Sequence, residues 1–176
     1  MGRSRYKIID SQLPHFVTCT VLHWIPAFTR PQTVAIILNS LKFLQAEGLK
    51  LYAYVILENH CHLLVQSQQL DKDMARFKSF TARKLINYFS ENNVTPILDQ
   101  LKFYKKVHKQ DSAYQFWQEG MHPEWIQNSE MMLQKIVYIH ENPVNRGYVD
   151  QAEHWRYSSA RNYLGKEGVI EVCTKW

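Results

Sequence analysis

Val55-Ile56-Leu57-Glu58-Asn59-His60-Cys61-His62-Leu63-Leu64-Val65 reads as two apolar strands around a short polar turn. The first strand runs from Leu49 to Leu57 and the second from Cys61 to Gln66, with Glu58-Asn59 turning between them. Strand side chains alternate faces, so His60 and His62 point one way and Cys61 the other. Two imidazoles on one strand face make half of a divalent-metal site. With 8 His in 176 residues a His-x-His pair also arises by chance, so its flanks must decide.

Working outward, His15 to Leu22 is β-branched and aromatic and predicts a strand. After the loop Trp24 to Phe28, Pro31 opens a helix. Val34, Ile37, Leu38, Leu41 and Leu44 recur at helical spacing, and Gly48 stops it. Asp71 is expected to cap a second helix reaching about Ser90, with Met74, Phe77, Thr81, Leu85, Tyr88 and Phe89 as its core stripe. Lys72, Arg76, Ser79, Arg83 and Asn87 share another face of that helix. Lys102 to Lys109 mixes cations and rings, read as a loop before a strand near Tyr114 to Trp117. Gly120 and Pro123 mark a turn, and Glu124 to Ile126 a further strand. Asn128 caps a third helix from Ser129 to about Glu141, which Pro143 is expected to end. Asn145 to Gly147 is a turn, and a short amphipathic helix ends near Gly165.

The order strand, helix, strand, strand, helix, strand predicts an α+β fold: a ferredoxin-like, RRM-like antiparallel sheet with helices packed on it. Strands one and three should be its central neighbours. One catalytic domain over 1–165 and a C-terminal tail over 166–176 are expected.

Hydrophobic residues make up 45% and charged residues 21%, ordinary for a globular chain. No run approaches the ~20 apolar residues of a membrane span, and no apolar segment follows the basic start Met1 to Tyr6, so no membrane and no signal peptide are expected. Cys19, Cys61 and Cys173 are odd in number and widely spaced, which fits a reducing cytoplasm. The net charge of +5 favours a polyanionic partner. Five Trp and ten Tyr add rings on which bases can stack.

Asn59-His-Cys-His-Leu-Leu64 resembles the metal motif of the HUH nucleases. Tyr138-Ile-His-Glu-Asn-Pro-Val-Asn-Arg-Gly147 resembles the nucleophile helix of REP-associated tyrosine transposases, chromosomal relatives of single-tyrosine insertion-sequence transposases. Phe116-Trp-Gln-Glu-Gly120 and Trp155-Arg-Tyr-Ser-Ser159 are similar to that family too, so the likeness runs from about His15 to Leu164. Relatives often carry Met-Pro where this chain has Leu57-Glu58, and a larger apolar residue at Cys61.

The resemblance implies Tyr138 as nucleophile on a phosphodiester, leaving a 5′-phosphotyrosine and a free 3′-hydroxyl. Tyr138 and Asn142 are i and i+4 on one helix face, so Asn142 is the candidate third ligand beside His60 and His62. The implied cofactor is a divalent metal, Mg2+ or Mn2+, and imidazole ligation suits manganese. The implied partner is single-stranded or hairpin DNA, as in repetitive extragenic palindromes, bound by a monomer or homodimer. Lys72, Arg76, Arg83, Lys102, Lys105, Lys106 and Arg146 are the candidate phosphate contacts. Two other readings stay open: a non-catalytic single-stranded nucleic-acid-binding module, and a metal-dependent phosphohydrolase that uses water.

Overall fold

The computed structural model describes residues 13–121 and 123–176. The segment Met1 to Tyr6, and with it the start of the expected 1–165 domain, lies outside the described residues. Four strands, β1 (His15–Thr20), β2 (Lys50–Ile56), β3 (His60–Gln66) and β4 (Glu124–Trp125), form one antiparallel sheet in the order β2-β3-β1-β4. Strands one and three are central, as the ferredoxin-like order requires.

The helices are α1 (Pro31–Ala46), α2 (Leu70–Glu91), α3 (Thr95–Phe103), α4 (Ser129–Asn145) and the short α5 (Ala160–Tyr163). Helices α1 and α2 pack together over one sheet face, where Val17, Cys19, Cys61, Leu63 and Val65 meet Ile37, Leu41, Met74, Phe77 and Leu85. On the other face Ala53, Val55 and Leu64 meet Met132, Ile136 and Ile139 of α4. Cover on both faces explains the unbroken apolar runs in β2 and β3, since a two-sided strand has no polar face to alternate with. Cys19 and Cys61 are cross-strand partners on the α1/α2 side, both buried and free.

Several elements depart from the sequence-based expectations. β1 ends at Thr20, and Leu22–Trp24 form a 3-10 turn in which His23 (φ 53°) and Trp24 (φ 57°) are left-handed. Asp71 is not a cap: α2 starts one residue earlier, and Asp71 and Asp73 sit in its first turn, where negative charge suits the helix dipole. Helix α3 has no counterpart among the sequence-based expectations. Its signals are Pro96 at the helix start and Ile97 and Leu101 buried at i and i+4. Tyr114 to Trp117 forms no strand, only a single bridge from Trp117 to Val21. Pro143 does not stop α4, which runs on to Asn145 with Pro143 inside it and buried. Burial of Ile139, Asn142 and Pro143 holds this last turn helical against the local bias of the pre-proline residue. The segment after α5 is not a loose end, because Ile170 is buried and the Cys173 amide donates to the Leu51 carbonyl (2.8 Å).

Candidate functional site

His60 and His62 stand on the α4 face of β3, opposite Thr20 and Thr18 of β1. Their ring centroids are 4.8 Å apart. The Nδ1 of His60 donates to Asn59 Oδ1 (2.7 Å), and the Nδ1 of His62 shares a hydrogen bond with Thr18 Oγ1 (2.8 Å). Both Nδ1 atoms are thus engaged, which leaves Nε2 of each ring available as a donor and fixes its aim. Burial holds both rings neutral. It pushes His60 down to about 4, helped by Arg146 and opposed by Glu58. It pushes His62 down to about 3, helped by His60, Arg146 and Lys135. Neutral imidazoles are what a metal ion requires.

Helix α4 brings the tyrosine. Asn128 caps it by accepting from the Met131 amide (2.8 Å). Two and a half turns on, the Tyr138 ring meets His62 edge-on at 5.3 Å and Phe16 at 5.8 Å, while remaining 48% exposed. Phe16 stacks on His62 at 5.3 Å, and Lys135 lies over Phe16 at 4.7 Å while pairing with Glu124. His60, His62 and Tyr138 therefore share one face, with Phe16 and Lys135 beside them.

Asn142 is buried on the same helix, and its Oδ1 accepts from Arg146 Nε (3.1 Å). Arg146 also reaches Glu58 Oε1 (3.2 Å), so it ties the end of α4 to the β2–β3 turn. Glu58 Oε2 is buried with no hydrogen-bond partner. Among the described residues no three His, Cys, Asp or Glu side chains cluster to hold a metal. A metal at the histidine pair would need a ligand of another kind, and a carboxamide oxygen is one. Two neutral imidazoles with fixed Nε2 suit a divalent ion such as manganese, and Asn142, linked through Arg146 to Glu58 in the turn that precedes them, carries a carboxamide oxygen. His140 faces elsewhere: its Nε2 bonds Ser159 Oγ (2.9 Å), and burial lowers it to about 4.

The candidate phosphate contacts are scattered. Arg146 lies at the site. Lys72, Arg76 and Arg83 are on α2, across the sheet from Tyr138. Arg76 is paired with Glu47 (2.8 Å) and Asp73 (3.6 Å), and lies over Phe43. Arg83 lies over Phe80 and, with Lys109, lines a cleft of about 680 Å³. Lys102 ends α3. Lys105 donates to the Lys109 and Ser112 carbonyls (3.0 and 2.7 Å). Lys106 and Lys109 converge on Glu119 (2.9 and 3.3 Å). Hydrogen bonds from Lys106, His108 and Lys109 hold the Glu119 carboxyl down at about 2.

Sequence reasoning missed Thr18, Asn59, Phe16 and Trp24 as neighbours of the histidines. Trp24 meets His60 edge-on at 5.4 Å, and Asn59 Nδ2 donates to its carbonyl (3.3 Å). Thr18 and Phe16 carry a signal only in retrospect: they alternate on a strand whose register against β3 no local pattern reveals.

No family model matches the chain. A Haemophilus influenzae protein named "Putative REP-associated tyrosine transposase" is 26% identical over 107 residues, which is 61% of this chain and 56% of that protein. The chain thus matches little more than half the length of that relative. A solved structure of a REP-associated tyrosine transposase bound to a REP hairpin superposes with a TM-score of 0.63 at 16% identity, covering all of this chain and 94% of the other. The chain resembles REP-associated tyrosine transposases in sequence, and its α+β fold is that of the solved one.

Proposed function

We propose that the protein cleaves and rejoins single-stranded DNA next to a hairpin, as a transposase-type strand transferase with Tyr138 as nucleophile. The observation that carries this reading is the Tyr138 ring 5.3 Å from His62, on the strand face that also holds His60. The relative and the solved structure named above supply the hairpin as substrate class.

In this reading Tyr138, half exposed at the sheet surface, attacks a phosphodiester that lies along the His60/His62 face. Its oxygen forms a new bond to phosphorus, the bond to the 3′-oxygen breaks, and the DNA 5′ end remains on the tyrosine. The phosphoester is conserved, so a free 3′-hydroxyl can reverse the step without a nucleotide cofactor. His60, His62 and Asn142 would hold the divalent ion, Mg2+ or Mn2+, with Asn59 and Thr18 orienting the rings. That ion, when bound, would supply Lewis-acid stabilisation of charge on the phosphate and the leaving oxygen. Arg146 and Lys135 add positive charge beside the pair. Both favour a phosphate there.

The test is an end-labelled hairpin with single-stranded flanks, incubated with Mn2+ and run on a denaturing gel with and without protease. Wild type should give a cut strand and a protease-sensitive 5′ adduct. Tyr138→Phe removes one oxygen and little volume, so it should keep its fold yet lose both products by at least about 1,000-fold. Cleavage by Tyr138→Phe at the wild-type rate would hand the reaction to water and favour a phosphohydrolase. Binding without cleavage by wild type would leave only a DNA-binding module.

A further inference from the structure

The rings beside His60 do not stop at the site. Trp24 is 53% exposed although it touches His60 edge-on. Its neighbour His23 stacks on Tyr104 at 3.8 Å with rings 18° from parallel. Tyr104 in turn meets Phe103 edge-on at 5.0 Å. Tyr104 is 38% and Phe103 80% exposed. Trp24 at the histidine pair is thus joined through its chain neighbour His23 to Tyr104, Phe103 and the Lys102–Lys109 segment. None of this exposure serves the core, since burying such rings would be favourable.

The backbone goes out of its way to present Trp24. His23 and Trp24 are consecutive left-handed residues, a conformation that side chains bearing a Cβ rarely adopt. Strain of this kind persists only where surrounding bonds over-determine it, and it concentrates at functional sites. Those bonds are present. Val21 N donates to Asn59 O (2.9 Å), Leu22 N to Phe116 O (2.7 Å) and Phe28 N to Glu58 O (2.8 Å). The 21–28 loop is therefore stitched to the same turn that carries His60, so Trp24 and the histidine pair keep a constant relation.

We infer that Trp24, His23, Tyr104 and Phe103 form a stacking ledge for the unpaired bases of single-stranded DNA next to the proposed cleavage site. Aromatic faces accept any base, which suits a strand whose sequence varies. Charge agrees with this occupant. Lys102, Lys105, Lys106 and Lys109 flank Phe103 and Tyr104 in the chain, and Lys106 and Lys109 share the single carboxylate of Glu119. The segment stays cationic where a phosphate backbone would follow the bases. The inference rests on the strand-transferase reading and names which surface takes the single strand.

The experiment compares two fluorescent oligonucleotides by anisotropy, without metal and in the Tyr138→Phe background so that nothing is cut. One is a blunt hairpin; the other is the same hairpin with single-stranded extensions. Trp24→Ala and Phe103→Ala should each weaken the extended probe about five- to hundredfold, leave the blunt probe unchanged and leave the salt slope unchanged. Trp24→Phe should restore most of the affinity. Phe43→Ala, an exposed ring on α1, is the control and should do nothing. Urea midpoints verify that each variant folds. Unchanged binding of the extended probe by Trp24→Ala and Phe103→Ala, or equal losses on both probes, overturns the ledge alone. A protein that binds neither probe overturns the strand-transferase reading with it.

Discussion

The hydroxyl of Thr18 sets the ring of His62, and it is the cheapest place to disturb the site without touching a ligand. Thr18→Val keeps the shape and removes the hydrogen bond. Manganese affinity measured by calorimetry should fall about 10- to 100-fold, because an imidazole without its outer partner loses orientation and basicity. The histidines also make stability depend on pH. His60, His62 and His140 are depressed to about 4, 3 and 4 from 6.5, in each case chiefly by burial. A folded value below the unfolded one means that the unfolded chain binds more protons between the two. The contribution is complete above about pH 6.5 and is lost as pH falls toward 4. Without metal, the urea midpoint should drop between pH 7 and pH 5, and His140→Gln should make that drop shallower. An unchanged slope would mean that His140 is protonated in the fold.

Helix α4 shows why an element carries chemistry better than a loop. It is anchored at one end by Asn128 on the Met131 amide and at the other by Arg146 on Glu58, with Ile136 and Ile139 buried between. Tyr138 projects from the middle of this anchored helix and meets His62 and Phe16. Asn128→Ala should cost about 1 kcal/mol of stability in urea denaturation. Cleavage should survive it, since the cap is about ten residues from the tyrosine. Pro143 illustrates a contest between local and tertiary terms. The pre-proline bias is real, yet the buried side chains of Ile139, Asn142 and Pro143 hold the last turn helical.

At the scale of the molecule, the candidate DNA contacts outside Arg146 fall on two neighbouring elements, α2 and the end of α3 with the chain that follows it. Lys105 and Lys106 lie on the chain that follows the ring-lined end of α3, whereas Arg76 and Arg83 sit on α2, against which α3 packs. Arg76 is further occupied by Glu47 and Asp73. Replacing Lys105 and Lys106 with Ala should weaken hairpin binding and lower the salt slope by about 2, one per lost phosphate contact. The Arg76/Arg83 double Ala variant should change both quantities less. Equal slopes for the two variants would show that DNA follows α2 as closely as it follows the 105–106 segment.

Much of the fold was legible because its signals are local. The apolar runs of β2 and β3, the helical repeat from Val34 to Leu44, and Gly48 at φ 103° each follow from side-chain period or backbone freedom within a few residues. Alternation alone put His60 and His62 on one face. What the sequence by itself determined was therefore most of the elements, their order and the identity of the chemical groups. What only the tertiary structure decided was which groups meet. The β1–β3 register that pairs Thr18 with His62, the side of the sheet that receives α4 and Tyr138, the reach of Arg146 across 88 positions to Glu58, and the approach of Trp24 to His60 all join distant parts of the chain. Such contacts depend on the summed packing of the whole core rather than on any neighbouring residue, and so no local pattern records them.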